Sequence, residues 1–197
     1  TIYGNQTIGT LTITTVAGWR PRNVVSDVIG TPRTLTVGAA TLTGVWFRDI
    51  VFANSTSPGT SLNPTGVTRV GNLGGNSGDI TFTTGVNKFW VGNASGSWSS
   101  NSAYWATSSG GSGSAANMPL PQDTAIFDAA SFNTAGRTVT FNYAHICGFD
   151  CTAIDVATNF AITTDCRCYG SIVLGANVTL SGTTLIAMAN RTTQQNI

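Results

Sequence analysis

An all-β fold is what this sequence predicts, and three observations carry it. Charged residues make up 9% of the 197 residues, against about 25% in an ordinary globular domain. The eight acids are all aspartate, and Lys88 is the sole lysine. Glutamate and lysine suit exposed helix faces, whereas the threonine and valine abundant here suit strands. Finally, short runs alternate apolar and polar residues with the period of two that a half-buried strand requires.

In chain order the runs are TLTITT (10–15), RTLTVG (33–38), GVWFRDIVF (44–52), DITFTT (79–84), DTAIFD (123–128), RTVTFN (137–142), NFAITT (159–164), SIVLG (171–175) and NVTLSG (177–182). Turn residues separate them, and no window combines helical periodicity with caps. Residues 53–78 are rich in Gly, Ser, Asn and Pro and read as a long surface excursion. Its GNLGGNSG (71–78) reads as a turn, because no helix follows to bind an anion.

The last third is the most regular. Strand-like runs begin at Thr138, Phe160 and Val178, intervals of 22 and 18 residues, and each is followed by a second apolar segment. A repeat of about 20 residues with two or three short strands per repeat predicts a parallel β-solenoid. Inward side chains would stack from rung to rung, with Val139, Phe141, Ile162, Val178 and Leu180 facing inward. An antiparallel β-sandwich is the alternative, since it also spaces short strands at 8–12 residues. The predicted organisation is a β-rich part over 1–85, a tryptophan-rich β insertion over 86–133 and solenoid rungs over 134–197. The chain stops at RTTQQNI directly after a strand-like run. An uncapped solenoid end exposes strand edges, so the rungs are expected to continue beyond residue 197 or to meet a neighbouring subunit.

The segment FWVGNASGSWSSNSAYWATSSGG places Trp90, Trp98 and Trp105 in a background of Gly, Ser, Asn and Ala. A flexible linker has no use for three indoles. Each buries on the order of 200 Å2 when packed, so a loop-rich stretch poor in aliphatic residues can be anchored by them. The prediction is a local core of Trp90, Trp98 and Trp105 packed over Phe127 and Phe132. The competing reading is a platform of Trp98, Tyr104 and Trp105 that stacks on sugar rings.

The stretch from Asn76 to Phe132 resembles a segment of phage virion structural proteins. The matching positions are Phe89, Trp90, Val91, Gly92, Gly96, Trp98, Trp105, Ser108, Ser109, Gly110, Gly111, Pro121, Asp123, Ala125, Phe127 and Asp128. Tyr104 stands where that pattern has Asn, and Ala125 where it has Val. A looser W…W…P…D…F pattern is similar to autotransporter-type surface β-solenoids. The resemblance implies a tail fibre, tail spike or capsid-attached fibre: a stiff β-solenoid rod in the virion, assembled in the host cytoplasm. The implied partners are other virion proteins, further copies of the chain (a trimer foremost) and a host surface glycan. A polysaccharide-depolymerising spike and a bacterial cell-surface adhesin are the alternatives.

No catalytic residue, cofactor or metal site is predicted. Glycoside hydrolysis needs two carboxylates about 5–9.5 Å apart. Asp150, Asp155 and Asp165 are the first candidates and Asp123 with Asp128 the next, but aspartate at corners commonly bonds its own backbone. His145, the single histidine, sits in an apolar run and reads as a packed side chain. Cys147, Cys151, Cys166 and Cys168 fall within 22 residues. Their C-x3-C-x14-C-x-C spacing is a poor zinc signature, so they read as buried thiols or cross-strand disulfides. The two pairs stand about one rung apart and should be close in space, and a reducing cytosol favours thiols. The nine basic residues are scattered, which argues against nucleic acid. No run approaches the 18 apolar residues of a membrane span.

Overall fold

The computed structural model describes residues 1–14, 21–63, 69–99 and 102–189, so the terminal RTTQQNI lies outside the described residues. The protein is all-β with parallel sheets. It divides into two compact units, Thr1–Thr84 and Gly85–Ile197.

The first unit contains β1 (Gln6–Ile13), β2 (Arg22–Val25), β3 (Arg33–Leu42), β4 (Val45–Arg48), β5 (Ile50–Asn54), β6 (Val70–Asn72) and β7 (Ser77–Gly78). They form two sheets, β1-β3-β5-β7 and β2-β4-β6. Each pairing in them is parallel. Alternation does the sorting: Leu35 and Val37 of β3 are buried while Thr34 and Thr36 between them are not. Register stacks like on like, Ile8 beside Val37 and Leu35 beside Phe52.

Three expectations change here. GVWFRDIVF reads as one run but forms two strands in different sheets. Asp49 between them takes the left-handed backbone conformation (φ 56°), and its buried carboxylate accepts the Gly30 amide at 2.9 Å. DITFTT (79–84) forms no strand. Its backbone is tied to a side chain instead: the Asn63 amide donates to Thr81 O and accepts Thr81 N, both at 2.9 Å. Residues 53–78 are also less of an excursion than their composition suggests, because they contribute the end of β5 together with β6 and β7. Residues 64–68 of that stretch lie outside the described residues.

The second unit contains β8 (Asn87–Trp90), β9 (Gly96–Ser97), β10 (Trp105–Ala106), β11 (Thr124–Asp128), β12 (Arg137–Phe141), β13 (His145–Ile146) and β14 (Gly148–Ala153). It continues with β15 (Thr158–Ile162), β16 (Cys166–Cys168), β17 (Ile172–Val173), β18 (Val178–Gly182) and β19 (Ile186–Met188). Three sheets result: β10-β8-β11-β14-β17, β9-β12-β15-β18 and β13-β16-β19. From β11 onward the chain visits them in a fixed order, one strand in each, three times over. Pairing is parallel except where Trp105–Ala106 lies antiparallel on Phe89–Trp90, so these are not the alternating directions of a sandwich. Strand pairing crosses the second predicted boundary, at 133/134: β9 pairs with β12 and β11 with β14 within the same sheets.

Register keeps the inward residues in phase. Val139, Phe160 and Leu180 occupy one row, as do Phe141 and Ile162. Val139, Phe141 and Ile162 are buried as expected, but Val178 is only half-buried and Leu180 is 41% exposed. Among the described residues β18 is the outer strand of its sheet, so within these residues the two side chains have a paired strand on one side. Where β14 meets the chain before β17, Gly148 and Gly170 touch. A Cβ built on either would stand within 2.8 Å of the other's Cα, so this corner closes only without side chains.

The aromatic core, the aspartates and the thiol cluster as candidate sites

β8 and β10 bring Trp90 and Trp105 opposite each other, with ring centroids 5.2 Å apart and nearly perpendicular. Trp98, just after β9, meets Trp105 at 5.0 Å and Phe141 of β12 at 5.0 Å. Phe127 lies 5.8 Å from Trp90 and 4.9 Å from Phe160. These edge-to-face and offset contacts are the arrangement that aromatic quadrupoles favour. Trp90, Trp98, Trp105, Phe127 and Phe132 are all buried. The tryptophans therefore anchor a core that also contains Phe141, Phe149 and Phe160, shared with the strands that follow, rather than a separate insertion.

Glycine spacing makes this local fold. The Tyr104 ring lies over Gly92 and Gly96, where a Cβ on either would come within 2.3 Å of it, and packs on Trp90 at 4.7 Å. The Trp105 indole N–H donates to Trp98 O at 3.3 Å. The sugar-stacking reading is corrected by this packing. Trp98 and Trp105 are buried against protein rings and offer no free face, and Tyr104 is half-buried against its glycines.

Of the five aspartates considered for catalysis, Asp155 is exposed and the other four are engaged as backbone braces. Asp123 is buried, with Oδ1 accepting Val86 N at 3.0 Å and Oδ2 accepting Leu120 N at 2.8 Å. Asp128 Oδ1 accepts Ala130 N, Asp150 Oδ1 accepts both Thr152 N and Thr152 Oγ1, and Asp165 Oδ1 accepts Leu185 N. His145 is buried with Nδ1 3.0 Å from the Tyr169 hydroxyl. Sequence reasoning missed the bracing roles of Asp49, Asp79, Asn63 and Asn76. Asp79 Oδ2 accepts Asn54 N and Gly59 N, while Asn76 accepts Ile50 N and donates to Phe47 O. Each reaches 18 or more residues along the chain, a distance at which local turn patterns carry no signal.

Cys147, Cys151, Cys166 and Cys168 are buried free thiols. β13 and β16 pair Ile146 with Cys168, which brings the two cysteine groups together. Cys168 Sγ lies 3.2 Å from both Cys147 O and Gly170 O, so its single S–H is shared between two carbonyl acceptors. Burial disfavours the thiolate. It pushes Cys166 up to about 12 and Cys168 to about 11, and holds Cys147 and Cys151 well above their ordinary value. Up to the ordinary thiol pKa of 9.0, both folded and unfolded chains keep these protons and burial contributes in full. Above it the unfolded chain releases protons that the folded one retains, so stability falls as pH climbs through 11 to 12. The native protein should therefore resist a polar alkylating reagent at neutral pH and become reactive at all four cysteines in denaturant. Its denaturation midpoint should drop steadily above about pH 9. Stoichiometric labelling of the native chain at neutral pH would refute the burial.

Among the described residues no group of three or more His, Cys, Asp or Glu gathers to hold a metal ion. No helix among them is long and apolar enough to cross a membrane. No family model, curated protein or solved structure matches the chain.

Proposed function

We propose that the chain is a non-enzymatic structural component of a phage virion, part of a tail fibre, tail spike or capsid-attached fibre, built as a stiff β-solenoid. The observation that carries the reading is the in-phase parallel pairing of successive strands around one aromatic core. Thr158 pairs with Val178, 20 residues on, His145 with Arg167, 22 on, and Thr124 with Gly148, 24 on. Such a turn-by-turn stack transmits load through many short hydrogen bonds, and each turn depends only on its neighbours. The virion assignment rests on the resemblance carried by Asn76 to Phe132. It agrees with tryptophans that serve as anchors and aspartates that hold loops. Any contact with a host glycan then belongs to outward rows such as Thr138, Asn159 and Thr179, which pair side by side, and not to the buried indoles. Association with other virion proteins and trimerisation accompany this role.

Immunogold electron microscopy, with an antibody raised against the 197-residue chain, tests it on particles purified from cells that carry the gene. Label at one fixed position on each particle is the expected result. Label confined to the bacterial outer surface would favour the adhesin. Oligosaccharide release from host surface polysaccharide by the purified chain would favour the depolymerase.

A further inference from the structure

We draw no further inference here: the strongest candidate, the outward face of the β9-β12-β15-β18 sheet, where Ser97 stands beside Thr140 and where Thr138, Asn159 and Thr179 stand side by side in register, is a stripe of small side chains, and nothing in the structure shows what covers it.

Discussion

Trp98→Ala should cost the Gly85–Ile197 unit about 3–5 kcal/mol, the range for deleting a fully buried large aromatic side chain. Trp98 touches four other rings, Trp105, Phe127, Phe141 and Phe149, at centroid distances of 5.0 to 6.3 Å. Those rings come from four different strands or their flanks, so the cavity has no single neighbour that can move to fill it. Trp98 O also accepts the Trp105 indole N–H, and a shift of that backbone would loosen the second tryptophan. Chemical denaturation followed by circular dichroism measures the loss, and Trp98→Phe should recover part of it. A Trp98→Ala midpoint equal to the parent's, with weakened binding to a glycan, would replace the structural role with the binding one.

Asp123→Ala is the second large effect. One buried carboxylate holds two amides, Val86 N and Leu120 N, 34 residues apart in the chain. Removing it leaves both without that acceptor: the buried Leu120 amide is orphaned at about 1–3 kcal/mol, while the Val86 amide, on a half-exposed residue, can turn to water and costs less. Asp123→Asn keeps the shape and one acceptor oxygen, so it should fall between the parent and the alanine variant. Hydrogen exchange should show faster exchange at both amides in Asp123→Ala and at neither in a control variant such as Asp155→Ala, whose side chain is exposed. Unchanged exchange at both positions would remove the brace from the account.

Much of this arrangement was legible in the sequence. Alternation placed β3, β11, β12, β15 and β18 within a few residues, because one buried face imposes a period of two whatever the sheet's order. The three indoles among glycines announced a core, because nothing else in that stretch could be buried profitably. Hidden from sequence were features made by distant backbone meeting backbone. Asp49 breaks an apolar run that has every local mark of a single strand. DITFTT alternates well yet is held by the Asn63 side chain and joins no sheet. Leu180 has the pattern of a core residue, but its exposure depends on what lies beside β18, and a pattern along one strand contains no information about its neighbour.

The span between β8 and its partner has a consequence for the order of assembly. Phe89 pairs with Ile126, 37 residues on, and Gly96 with Val139, 43 on, whereas Thr158 meets Val178 after 20. Doubling a loop raises its closure cost by about 0.6 kcal/mol, and it is the rate of forming the first native contacts that responds to such distances. The later strands, β12, β15 and β18, can find one another before the tryptophan strands are in place. Trp90, Trp98 and Trp105 then close over a partly formed scaffold, and indole burial becomes a late spectroscopic event on the refolding pathway, slower than the growth of β circular dichroism.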